Sequence, residues 1–110
     1  MSYAGITKKL AAGEKEGSML CMTILTWDPD KRDAVVERVK KIGLQHEGMK
    51  VIGTWVDVNG GRCFQLSDVP RNIDPAVSLK TNLAWNDLMR IQDIPVMEAT
   101  EMMKLMESMR

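Results

Sequence analysis

The sequence predicts an α+β domain with the element order β-α-β-β-α-β and one further helix at its C-terminal end. Three observations carry that prediction. The stretch Gly48–Asp68 (GMKVIGTWVDVNGGRCFQLSD) sets two apolar-rich runs, Met49–Val58 and Arg62–Leu66, on either side of Asn59-Gly60-Gly61. An Asn-Gly pair between strand-like runs signals a hairpin, because a tight type I′ turn needs φ > 0 at both central residues. The dipeptide Asp-Pro opens an apolar-periodic stretch twice, at Asp28-Pro29 and at Asp74-Pro75. Finally, Met19–Trp27 (MLCMTILTW) is apolar on both alternate faces, as a strand buried on both sides of a sheet would be.

Taken in order, residues 1–18 form a polar N-terminal arm, with Gly5 and Gly13 limiting any helix there. The first strand, Met19–Trp27, presents Leu20, Met22 and Ile24 on one face and Cys21, Leu25 and Trp27 on the other. Asp28 is placed to accept from the first free N–H groups of a helix, and Pro29 suits its first position. That helix runs to about Ile42, with Ala34/Val35, Val39 and Ile42 as its buried stripe and Gly43 as its left-handed stop. The hairpin follows, then Ser67–Asn72 as a loop. A second helix from Asp74-Pro75 reaches about Asp87 or Leu88, with Ala76, Leu79, Leu83 and Trp85 or Leu88 turned inward. Arg90–Met97 (RIQDIPVM) is the fourth strand, and Pro95, which cannot donate to a ladder, puts it at an edge. Residues 98–110 form a Met-rich helix with Ala99, Met102/Met103, Met106 and Met109 at helical spacing.

This order is the ferredoxin-like split βαβ arrangement. Right-handed crossovers are expected to make the first and third strands parallel neighbours in the centre, with the second and fourth at the edges. Helices cover one face of such a sheet. The doubly apolar first strand calls for cover on the other face as well, which a second copy would supply. Two sheets packed face to face make a dimeric α/β barrel.

The segments TWDPDKRDAVVERVKKIG, GMKVIGTWVDVNGGRCFQL and RIQDIPVME resemble an uncharacterised family of short prokaryotic proteins in the dimeric α/β-barrel (ferredoxin-like) superfamily. The resemblance runs over roughly Met19 to Met97 and is most specific at Gly53, Trp55, Gly61, Arg62 and Phe64; the arm and the Met-rich helix depart from it. It implies the fold and a homodimer. It brings no activity, since the wider superfamily mixes cofactor-independent monooxygenases, haem-dependent enzymes, lactone isomerases and stress proteins.

Composition narrows the function classes. With 110 residues, 45% hydrophobic and 27% charged, the chain is one globular domain. Its 15 basic and 15 acidic residues balance, so nothing favours nucleic acid or an anionic membrane. No apolar run approaches the roughly 18–20 residues of a membrane span, and no signal-peptide segment is seen. A cytoplasmic protein with reduced thiols is expected. Methionine is abundant, at 10 residues, while Phe and Tyr occur once each, which suits an adaptable core or contact surface.

Few residues offer chemistry. His46, the single histidine, is a proton carrier or a solvent-facing loop residue. Cys21 and Cys63 are expected near the starts of the two central strands, as neighbours in space, but two Cys and one His without CxxC spacing make a poor zinc site. They read better as small buried hydrophobes. Trp27, Trp55 and Trp85 suit either a pocket or packing, because an indole joins a large apolar ring to a polar N–H. Gln65, inside a central strand, needs a partner for its amide. Asp93 raises the same question more weakly. Arg62 either binds a carboxylate ligand or pairs with Asp57. Gly60-Gly61 is turn chemistry, not a phosphate loop. No cofactor or metal is implied. The expected role is binding a small apolar or aromatic metabolite, or a protein partner. The alternative is a cofactor-independent enzyme of monooxygenase or isomerase type, with its pocket near Trp55, Gln65 and His46.

Overall fold

The chain forms β1 (Ser18–Thr26), a 3-10 turn (Pro29–Lys31) that runs into α1 (Arg32–Ile42), β2 (Lys50–Val56), β3 (Arg62–Pro70), α2 (Pro75–Trp85), β4 (Arg90–Val96) and α3 (Ala99–Ser108). This computed structural model describes residues 18–44 and 48–110. Apart from Ser18, which already opens β1, the expected N-terminal arm lies outside the described residues, and so does His46.

Among the described residues the architecture is α+β, with three α-helices and one four-stranded sheet in the order β2-β3-β1-β4, compatible with a ferredoxin-like domain. As the sequence indicates, β1 and β3 are central, and β4 with Pro95 is an edge. Their direction needs correcting. β1 and β3 are antiparallel, as are all neighbouring pairs. The crossover through α1 returns β2 along the direction of β1, and the hairpin then reverses β3. Cys21 therefore lies opposite Ser67 and Cys63 opposite Leu25. Four residues of register, roughly 13 Å of strand, separate the two thiols, which are not neighbours. β3 also runs on to Pro70, through residues expected to form a loop.

β1 is buried on both faces. Toward the helices, Leu25 joins Val35, Cys63, Trp85 and Met89 in one cluster. On the opposite face, Leu20 joins Ile52 and Leu66, with Met22 and Val96 packed beside them. A bulge between Val51 and Gly53 lets Ile52 stand on Leu66's side of the sheet together with Gly53.

The helix starts differ. At Asp74 the carboxylate caps α2, accepting from the Ala76 N–H at 2.9 Å. At Asp28 it does not, because the chain first closes a 3-10 turn with the Lys31 N–H donating to the Asp28 carbonyl. The Asp28 carboxylate turns instead to Arg90, at 3.5 Å. Gly43, at φ +72°, ends α1 as expected. In the hairpin the positive φ values fall on Gly60 and Gly61, not on Asn59. Asp57 shapes that loop, its carboxylate accepting from the Asn59 N–H while its own N–H donates to the Arg62 carbonyl.

α2 departs most from expectation. Leu79 and Leu83 face solvent, at 59% and 65% exposure, while Trp85 is buried. Apolar residues surround this helix, so their spacing selects no single inward face. Arg38 decides the matter at the C-terminal end. Its guanidinium pairs with both carboxylate oxygens of Asp87, donates to the Ala84 carbonyl at 2.9 Å, and lies 5.7 Å from the Trp85 ring centre. The hydrogen bond from Arg38 holds the Asp87 carboxyl below its usual range.

Gln65 is 1% exposed, and its amide N–H donates to the Leu44 carbonyl at 3.1 Å and to the Thr54 hydroxyl at 3.3 Å. It ties the end of α1 to the sheet. Gln65→Ala is expected to cost about 2–4 kcal/mol, from the lost buried volume and the orphaned Leu44 carbonyl. Denaturant unfolding measures this, and a loss below about 1 kcal/mol would show that the bridge is not structural.

Candidate functional site: a cleft between the sheet and the second helix

Because β1 pairs on both sides, one row of residues crosses all four strands on the helix-facing side: Thr54, Gln65, Thr23 and Asp93. Thr23 donates to the Asp93 carboxylate at 2.7 Å. Beside this row, a cleft of about 150 Å³ opens between the sheet and α2. Its sheet wall includes Cys21, Thr23 and Asp93, and its helix wall includes Ser78, Thr81 and Asn82. Met19, Leu25, Val69, Trp85 and Ile91 supply apolar sides. Thr81 and Asn82 donate back to the Val77 and Ser78 carbonyls one turn earlier, which fixes how they face the cleft.

A second cavity, of about 250 Å³ and lined by Leu25, Trp27, Val35, Val39, Leu44 and Met89 among others, lies under α1. Leu25 lines both. Between them they exceed the lower end of ordinary small-molecule sites, roughly 300 Å³.

The electrostatics of the cleft keep its thiol protonated. Burial pushes the Cys21 thiol up, and the neighbouring Asp93 charge adds to the shift, against hydrogen bonds from Thr23 and the Ile94 backbone. Burial raises the Cys63 thiol as well. Among the described residues no group of His, Cys, Asp and Glu could hold a metal ion. Nor is any helix of those residues long and apolar enough to cross a membrane.

The structure scatters the residues that the sequence singles out. Trp85 lines the cleft, and Trp27 lines the second cavity. Trp27 also has a buried indole N–H without a partner. Cys63 packs in the helix-side cluster, and Gln65 bridges Leu44 and Thr54 with its amide oxygen unpartnered. Trp55 pairs across the hairpin with Phe64, while Gln65 pairs with Thr54, so Trp55 and Gln65 stand on opposite faces of the sheet. One face of the sheet therefore does not carry both Trp55 and Gln65, and His46 lies outside the described residues. Thr23, Thr81 and Asn82 are missed by sequence reasoning, since nothing in their spacing separates them from ordinary strand and helix polar residues.

On the outer face, Gly53 allows one close packing. A Cβ there would meet the Trp55 ring at 2.6 Å, so the indole lies directly over the glycine. Arg62 stacks 5.6 Å from the Phe64 ring centre and pairs with Asp57 at 3.0 Å, the partner that the sequence suggests. The Asn59 N–H, followed by Arg62, holds the Asp57 carboxyl below its usual range. Gly53, Trp55, Arg62 and Phe64 therefore form a single unit on the hairpin. The family described as "Domain of unknown function (DUF3303)" matches residues 19–110. The chain belongs to this family. The DUF3303 match extends through α3 to the last residue, beyond the Met97 limit of the resemblance, and begins after the polar arm. No curated protein and no solved structure matches the chain.

Two outcomes check this geometry. Alkylation of Cys21 by iodoacetamide is expected to be slow at neutral pH and to rise only above the ordinary thiol range, because the reactive thiolate forms late. Asp93→Asn removes one cause of the shift and should move that rise to lower pH; an unchanged profile would separate the two groups. Gly53→Ala is expected to displace the Trp55 ring and cost about 1–3 kcal/mol, read from unfolding and from Trp emission.

Proposed function

We propose that this DUF3303 chain binds a small, largely apolar or aromatic molecule bearing one or two hydroxyl or amino groups, in the cleft between the sheet and α2. The observation that carries this reading is the meeting of two polar walls, Thr23 with Asp93 and Thr81 with Asn82, across an apolar cavity of about 150 Å³. A cavity of that size fits a single ring such as benzene. Apolar walls give affinity, and the few polar groups set orientation. Binding without chemistry is favoured over the enzyme alternative, because the nucleophile at hand, Cys21, is a protonated thiol.

We further propose that the chain works as a homodimer of the dimeric α/β-barrel kind, joined through the outer face of the sheet. Trp55, 43% exposed on that face beside Phe64, supports a contact there.

The ligand reading is tested with phenol, indole and benzyl alcohol against the full chain, by melting temperature and Trp fluorescence. At least one is expected to raise the melting temperature by a few degrees and to change Trp85 emission. Asn82→Leu, which fills the cleft, should abolish that response while leaving the free protein as stable or more so. If no probe shifts either signal, or the Asn82→Leu protein responds as before, the cleft is not the site.

A further inference from the structure

Most polar side chains that line the cleft between the sheet and α2 have already committed their hydrogens. The Thr23 hydroxyl donates to the Asp93 carboxylate at 2.7 Å. The Thr81 hydroxyl donates to the Val77 carbonyl at 3.1 Å, and the Asn82 amide gives one N–H to the Ser78 carbonyl at 2.9 Å. A hydroxyl has one hydrogen and two acceptor lone pairs, and an ionised carboxylate only accepts. What a visitor meets is therefore rich in acceptors: the Thr23 oxygen, the Asn82 amide oxygen and the second oxygen of Asp93. Against these stand one remaining Asn82 N–H and the rotatable hydroxyl of Ser78 at the rim.

Charge points the same way. Of the described residues that line the cleft, Asp93 alone is charged. Asp28, Asp57 and Asp87 each hold an arginine, whereas among the described residues no Lys or Arg pairs with Asp93. The charge of Asp93 is felt inside the cleft, where it adds to burial in raising the Cys21 thiol. A bare metal ion is a poor match, since among the described residues no group of His, Cys, Asp and Glu could hold one. A cation that brings its own N–H donors and an apolar body fits better.

We propose that the cleft prefers a primary ammonium carried on a single ring or a short apolar group, and that Asp93 sets this preference. An ammonium offers three donors and no acceptor, the complement of the acceptors left at Asp93, Thr23 and Asn82. Its ring takes the apolar side formed by Leu25, Val69, Trp85 and Ile91. The inference rests on the ligand site proposed above and narrows its ligand to a cation.

Benzylamine, benzyl alcohol and benzoate test it on the full chain, because they keep the ring and change the polar group from cation to neutral to anion. Titration by calorimetry or Trp fluorescence reads their affinities. Benzylamine is expected to bind about fivefold tighter than benzyl alcohol or more, a moderate factor because Asp93 is exposed and water screens the pair. Benzoate should bind weakest of the three. Added NaCl should weaken benzylamine and leave benzyl alcohol as it was. Asp93→Asn keeps an oxygen for the Thr23 hydroxyl and should erase the preference for the amine. The wild-type series and its salt dependence decide the matter even if that variant does not fold. Benzyl alcohol binding as tightly as benzylamine overturns the ammonium preference and leaves the cleft standing. A preference that survives Asp93→Asn, or that ignores salt, shows that the amine is held elsewhere, which also overturns it. If none of the three binds, the cleft reading falls as well.

Discussion

The fold depends on β1. It pairs on both sides along most of its length, antiparallel to β3 and to β4, and it carries buried side chains on both faces. Its alternation assigns every residue of the layer. Cys21, Thr23 and Leu25 go to the helices, and Leu20 and Met22 go to the opposite face. A slip of one residue would exchange the two sets and bury the wrong side chains, so the register is strongly specified. Once it is set, the row Thr54, Gln65, Thr23 and Asp93 is fixed across four strands, and with it the polar wall of the cleft.

Much of this was legible in the sequence, for identifiable reasons. The hairpin, the edge position of β4 and the central place of β1 follow from Asn59-Gly60-Gly61, from Pro95 and from the two apolar faces of Met19–Trp27. Gln65 was visible as a buried amide in need of partners, and it has them in Leu44 and Thr54. The direction of β3 was recoverable by following the chain through one crossover and one reversal, but adjacency alone suggested the wrong sense. The inward face of α2 was not recoverable. Ala76, Val77, Leu79, Leu83, Ala84 and Trp85 surround the helix, so no periodic vector picks a face, and the Arg38 contacts that choose one come from a distant element. The cleft was hidden for the same reason, since half of it is the α2 face that periodicity left undecided.

The orientation of α2 sets what the cleft is made of. With Trp85 inward, Thr81 and Asn82 come to the cleft while Leu79 and Leu83 are left in water. A rotation that buried the two leucines would gain about 1.5–3 kcal/mol for each side chain fully removed from water. It would also remove the polar wall. The Arg38 contacts with Asp87, Ala84 and Trp85 hold the helix against that rotation.

The two ends of α2 are also held unequally. Its C-terminal end is pinned by the forked Arg38–Asp87 pair, by the Arg38 contact with the Ala84 carbonyl, and by Trp85 and Met89 in the helix-side cluster. Toward the N-terminal end, the helix spans the cleft, with exposed Ser78 at its rim and half-buried Thr81 and Asn82 behind it. Ser78 and Asp93 are both exposed, so the cleft meets solvent at its helix wall and at its β4 edge.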